Sequence, residues 1–281
     1  MAKLEPMANG YYLWHYIPST AAGVIFTVLF FMITAFHSWK LFKSKAFFTL
    51  PFAIGGLFEI IGYAARVAAH DKTGELMPYV IQSIFLLLAP ILFAATVYMV
   101  LARIISSVNA EQYSPIRIKW VTKIFVGCDI VTFLIQGSGA GIMAIGSMST
   151  TGQSIVLAGL ILQIITFVLF LVTAIVFEKR MKACSATETP HVGSPWKKHL
   201  LSLYAVSAMI LLRSVFRVIE YGLGNDGYLL ANEWPTYVLD AVPMFIAMVC
   251  FAYWYPSELQ PSLIKSESGA ELASVGATLE V

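Results

Sequence analysis

The sequence predicts an all-α, polytopic membrane protein with seven transmembrane helices, its N-terminus outside and its C-terminus cytoplasmic. Three observations carry this expectation. Hydrophobic residues make up 58% of the 281 positions and charged residues only 12%, with a mean hydropathy of +0.77; a soluble domain carries about 25% charged residues. Seven apolar runs are each long enough for a helix to cross a hydrocarbon core of roughly 30 Å. Basic residues gather in alternate loops between those runs. This composition excludes a disordered chain, a nucleic-acid binder with a basic face and an ordinary soluble enzyme. The net charge of +2 decides nothing by itself.

The runs cover residues 20–39, 47–69, 79–105, 122–145, 154–177, 200–223 and 236–255. They are too long and too continuous for barrel strands of about 10 alternating residues. Backbone groups in lipid must be satisfied within the segment, so the runs are helices. Lys40, Lys43 and Lys45 end the first run. Residues 71–78 separate the second from the third, and 113–119 the third from the fourth. A small-residue turn at 146–153 precedes the fifth. The longest loop, 178–199, contains Pro190 and Pro195, and residues 224–235 close the sixth. The domain reading is therefore an extracellular segment 1–19, a membrane domain 20–255 and a disordered cytoplasmic tail 256–281.

Orientation rests on Lys and Arg. Lys40, Lys43, Lys45, Arg103, Arg117, Lys119, Lys123, Lys179, Arg180, Lys182, Lys197 and Lys198 flank one side. The other side holds only Lys3 and Lys72. The positive-inside rule places the first side in the cytoplasm. No basic n-region precedes the first run, so no cleaved signal peptide is expected. Cys128, Cys184 and Cys250 do not form an extracellular disulfide framework.

Besides Arg103 and Lys123 at run ends, seven charged residues lie within the runs: Glu59, Arg66, Asp129, Arg213, Arg217, Glu220 and Asp240. Each costs roughly 2.5–3.5 kcal/mol at mid-helix unless paired or hydrated. Glu59, Tyr63 and Arg66 share one helical face, as do Arg213, Arg217 and Glu220, and Asp129 and Gln136. Tyr237 and Asp240 are one turn apart, and Gln82 opens the third run. These eleven residues are the candidates for substrate binding or proton coupling. All but Asp129 fall at mid-depth or in the outer half, which predicts a polar cavity toward the outer leaflet. Four acids against three bases leave a spare negative charge, suited to a cationic substrate or a proton. Acid–base pairs also serve simply to lock helices together, and both readings stand at this point.

Gly137, Gly139 and Gly141 follow no strand, so they mark close helix packing rather than a phosphate loop. Pro90 and Pro243 predict kinks. His15 and His37 read as interfacial polar residues, and no metal or cofactor spacing is present. Trp14, Trp39, Trp234 and Trp254 sit at run ends as interfacial anchors do.

Several motifs together resemble the fungal lipid-translocating exporter family, seven-helix proteins related to aminocholesterol-resistance proteins. They are Glu59-Ile-Ile-Gly-Tyr-Ala-Ala-Arg66, Gln82-Ser-Ile-Phe-Leu-Leu-Leu-Ala-Pro90, Ala94-Ala-Thr-Val-Tyr98, Asp129 with Gln136-Gly137, Arg213-Ser-Val-Phe-Arg217 with Glu220, and Glu233-Trp-Pro-Thr-Tyr237 with Asp240. The resemblance covers about residues 15–257, essentially the whole membrane domain. It implies movement or tolerance of amphipathic lipids such as sphingoid long-chain bases, sterol-like amines or porphyrins. It also implies resistance to toxic compounds. On this reading an amine headgroup meets Glu59, Glu220 or Asp240, and the plasma membrane is the expected location.

Two other classes remain open. A seven-helix lipid sensor or stress-response regulator fits the same layout. The rhodopsin-like receptor motifs are absent: the third run ends Leu101-Ala-Arg-Ile104, and no run carries a lysine away from its ends for retinal. An intramembrane enzyme is disfavoured because metal-ligand histidines are missing from the runs and no Ser or Cys sits beside a His in a way the sequence reveals; the absence of a Walker A motif excludes ATP hydrolysis by that route.

Overall fold

The computed structural model describes residues 14, 16–108, 112, 114–143, 148–185, 196–223 and 228–256. Among the described residues all regular structure is helical. The helices are α1 (Thr20–Ser44), α2 (Leu50–Ala68), α3 (Leu76–Ser107), α4 (Ile118–Met143), α5 (Ser149–Ser185), α6 (Trp196–Leu223), the one-turn α7 (Tyr228–Ala231) and α8 (Val242–Tyr253). A π-helical segment, Thr236–Ala241, leads into α8 and completes the seventh span. Seven of these helical stretches are long and apolar enough to cross a membrane, so the chain is an integral multi-pass membrane protein.

Local sequence sets the helix ends. The Ser19 hydroxyl accepts from the Ala22 amide and caps α1. Lys45 ends α1 in the left-handed region, at φ 53°. Pro51 enters α2 in its first turn, where its missing N–H costs nothing. The seventh span begins differently. Pro243 cannot donate, and its ring crowds the carbonyl four residues back. The preceding turn is widened, and Val242 N–H bonds Tyr237, five residues back. Asp240 lies in this widened turn.

The boundaries of two expected loops move. The expected loop 178–199 is shorter at its start, because α5 continues to Ser185. Charged residues past the lipid boundary are good helix formers, and Glu178 pairs with Lys182 one turn on at 2.5 Å. The expected turn 146–153 likewise gives way to helix from Ser149. The expected loop 178–199 also ends earlier, because α6 begins at Trp196. Residues 144–147 and 186–195, His15, most of the 1–19 segment and the tail beyond Pro256 lie outside the described residues.

Helix α3 is the central helix. Leu86, Ala89, Phe93, Val97, Leu101 and Ile104 are buried along it. Helix α2 reaches it through glycines: a Cβ on Gly55 would lie 2.7 Å from Phe93, and one on Gly62 2.5 Å from Leu86. On the far side α3, α4, α5 and α6 pack as a ring of four. Lipid-facing surfaces carry exposed apolar side chains, such as Val28 and Phe31 on α1 and Leu169 and Val172 on α5. His37 is buried, not interfacial, and its ring bonds the Met248 carbonyl at 3.0 Å. Trp14 is also buried, packed edge-on against Tyr79. Trp39 and Trp234 are exposed.

The glycines of α4 divide. A Cβ on Gly139 would lie 2.8 Å from the Gly152 carbonyl and the Val156 amide, whereas Gly137 and Gly141 face open space. Gly139→Leu is therefore expected to destabilise by about 1–3 kcal/mol, through overpacking of α4 on α5. Thermal unfolding in detergent checks this. Gly137→Leu should leave the midpoint unchanged, and equal losses for both would contradict the packing.

Candidate functional site

The sequence-predicted polar residues are spread over several places and do not share one cavity. Successive spans run in opposite directions, so α1, α3, α5 and the seventh span begin at one end of the bundle, called here the Thr20 end.

At that end, Arg66 closes α2 and is almost fully buried. Its Nη2 donates to Glu233 Oε1 at 3.0 Å and to the Tyr16 hydroxyl at 2.7 Å, and its Nε donates to the Tyr237 hydroxyl at 3.0 Å. Tyr237 donates onward to Glu233 at 3.0 Å. The Ser19 amide bonds both Glu233 oxygens, at 2.9 and 3.0 Å. The guanidinium lies over the rings of Trp14, Tyr16 and Tyr237, 5.1–5.6 Å from their centroids. This network fastens the segment before α1 across the ends of α2 and the seventh span.

Deeper in the bundle, Asp240 bridges two cations of α6. One oxygen pairs with Arg213 Nε and the other with Arg217 Nη2 at 2.5 Å. Arg217 also holds Glu220 at 3.0 Å, and Arg213 Nη2 donates to the Leu86 carbonyl on α3 at 2.5 Å. The centre thus joins α3, α6 and the seventh span. Burial of these charges is tolerable because every one has an opposite partner.

Two acids have no ion-pair partner among the described residues. Glu59 is buried at 1% exposure, and its Oε1 makes no hydrogen bond among the described residues. The same holds for the neighbouring Tyr63 hydroxyl, which lies beneath stacked Phe30. Asp129 stands apart, accepting at 2.9 Å from Tyr98, whose ring packs against Phe125, Phe167 and Phe170.

A cavity of about 90 Å³ lies inside the α3–α6 ring, in the half nearer the Thr20 end. Leu86, Leu87, Phe133, Val156 and Leu160 form its apolar wall. Gln82, Gln136, Gln163, Arg213, Arg217 and Tyr221 supply polar groups. Gln136 donates to Gln163 at 2.9 Å across α4 and α5. Of the eleven predicted residues, Gln82, Gln136, Arg213 and Arg217 line this space. Asp240 and Glu220 stand behind the arginines, and Glu59, Tyr63, Arg66, Asp129 and Tyr237 lie elsewhere.

Sequence reasoning left out Glu233, Tyr16, Ser19 and Gln163 as site residues. Glu233 and the N-terminal pair lie outside the apolar runs, where no periodicity shows them. An unmatched Arg66 at a helix end was the available signal. Gln163 is the lone amide of the fifth run, which was signal enough.

Residues 52–262 match the family described as RTA1 like protein. The chain is 32% identical to Protein RTA1 of Saccharomyces cerevisiae, across 88% of this chain and 86% of that protein. It is 31% identical to Protoporphyrin uptake protein 1 of the same yeast, across 87% and 92%. It is 25% identical to the yeast Sphingoid long-chain base transporter RSB1, across 91% and 76%. No solved structure matches the chain. With the family match covering most of the membrane bundle and relatives above 30% identity covering nearly its full length, the chain belongs to the RTA1-like family of multi-pass membrane proteins.

Proposed function

We propose that this protein moves amphipathic lipids or lipid-like toxic compounds across the bilayer, and so confers tolerance to them. The observation that carries this reading is the cavity in the α3–α6 ring, apolar on one wall and polar on the other, at membrane depth. Such a space suits a molecule with a polar end and a hydrocarbon body. Relatives named for long-chain base transport and protoporphyrin uptake support an amphipathic cargo. The charge bias of the loops supports a Thr20 end that faces outside, with the plasma membrane as the expected site. The chain acts as a carrier and not as an enzyme on this reading, with the bilayer and its lipid cargo as partners and with no nucleic acid, cofactor or metal.

The test is lipid movement in proteoliposomes holding only the purified protein. Fluorescent long-chain base and fluorescent fatty acid are each supplied with and without a pH gradient. Protein-dependent movement of either is expected. Dependence on the gradient, lost in Glu59→Gln, would assign proton coupling to the one buried carboxylate of the α2 face that no arginine holds. Binding without movement would favour the second reading, a lipid sensor.

A further inference from the structure

We infer that the cavity takes the carboxylate-class end of an amphiphile, admitted sideways from the bilayer between α3 and α4. This deepens the proposed function and rests on the cavity being the cargo site.

The first argument is charge. The ionic side chains on the cavity wall are Arg213 and Arg217, and no carboxylate lines it. Asp240 and Glu220 neutralise the arginines from behind, so the guanidinium faces are the groups nearest an incoming headgroup. Arg217 is the more exposed of the two cations, at 20% of its side chain. A guanidinium presents five donors in a fork, and only some are spent on the acids. An ammonium headgroup entering the same space would lose its water and meet a wall with two guanidinium groups and no carboxylate among its lining residues. A carboxylate would meet donors instead. Gln82, Gln136 and Gln163 serve either headgroup, because an amide that rotates offers oxygen or nitrogen. They add hydrogen bonds and leave the choice of charge to the arginines.

The second argument is access. Ile84 on α3 and Gly137 and Ala140 on α4 both line the cavity and are exposed on the bundle surface. A Cβ on Gly137 meets nothing within 4 Å. A slot walled by small residues at lipid depth lets a chain remain in the bilayer while its headgroup turns inward.

The experiment is equilibrium binding to the full chain in phosphatidylcholine nanodiscs. The probes are one fluorophore-labelled hexadecyl chain ended by carboxylate, by primary amine or by neutral amide. The carboxylate should bind at least tenfold more tightly than the amine. Arg217→Gln should lose about tenfold of carboxylate affinity and narrow the difference, while Arg217→Lys retains most of it. Gly137→Phe places a ring in open space, so it should fold normally and weaken all three probes. Amine binding as tight as carboxylate binding, or an unchanged Arg217→Gln with normal unfolding, would overturn the charge assignment. Unchanged binding in Gly137→Phe would overturn side entry. Protein-dependent transport with amine preference would sink this inference and spare the transport reading; carboxylate-selective binding without transport would do the reverse.

Discussion

Asp240→Ala should unfold the protein more readily than any other single change in the bundle. The alanine strands Arg213 and Arg217 together, and breaking a buried pair costs about 3–5 kcal/mol because the remaining charge is left uncompensated. Arg213 keeps only the Leu86 carbonyl, and Arg217 keeps Glu220. The loss should appear as a large fall in the detergent unfolding midpoint and in the yield of monodisperse protein. A double variant gives the sharper check. Asp240→Asn combined with Arg213→Gln removes charge from both sides, so its loss should be smaller than the two single losses added. Additive losses would mean that the pair is not coupled, against the geometry.

Glu233→Ala carries the second large effect, on the N-terminal segment more than on the bundle. Glu233 accepts from Arg66, Tyr237 and the Ser19 amide together. Hydrogen bonds to charged groups contribute about 1.5–3 kcal/mol each in net terms; Glu233 is partly exposed, so the lower figure applies. Amide exchange at residues 16–22 should accelerate by about tenfold or more, with exchange in α3 unchanged. Arg66→Lys should show much of the same effect, since an ammonium cannot serve Glu233, Tyr16 and Tyr237 in one plane. Normal protection of the Ser19 amide in Glu233→Ala would show that the segment is held by its other contacts, the Trp14 and Tyr16 rings, the Arg66–Tyr16 bond and the His70 bond to the Pro18 carbonyl.

Both predictions concern ion pairs, and they mark where sequence and structure part. The seven spans were legible because a span is a local property: about 20 apolar residues and no internal water force a helix wherever they occur. The shared faces were legible for the same reason. Glu59 with Tyr63 and Arg66, and Arg213 with Arg217 and Glu220, follow from 3.6 residues per turn within one helix. That Arg213 and Arg217 line the cavity with Gln82 and Gln136 was within reach of that pattern. The chemistry of the motifs also placed the chain in its family.

Pairing between helices was not legible. A charge count of four acids and three bases suggested one spare acid in one cavity. The structure brings in Glu233 from the segment before Pro235, assigns Asp240 to two arginines, and gives neither Glu59 nor Asp129 an ion pair among the described residues. Which acid meets which base depends on how α2, α6 and the seventh span rotate and tilt against α3, and close packing of side chains and glycines sets that. The widened turn at Thr236–Ala241 decides where Asp240 points, and it arises from Pro243 acting on a turn that the packed bundle then holds. The sequence by itself determined the membrane solvent, the number of spans and the faces of each helix, because lipid imposes those locally. Only the tertiary structure decided which charges neutralise each other and which of the predicted groups stand away from the cavity, because those depend on contacts between residues far apart in the chain.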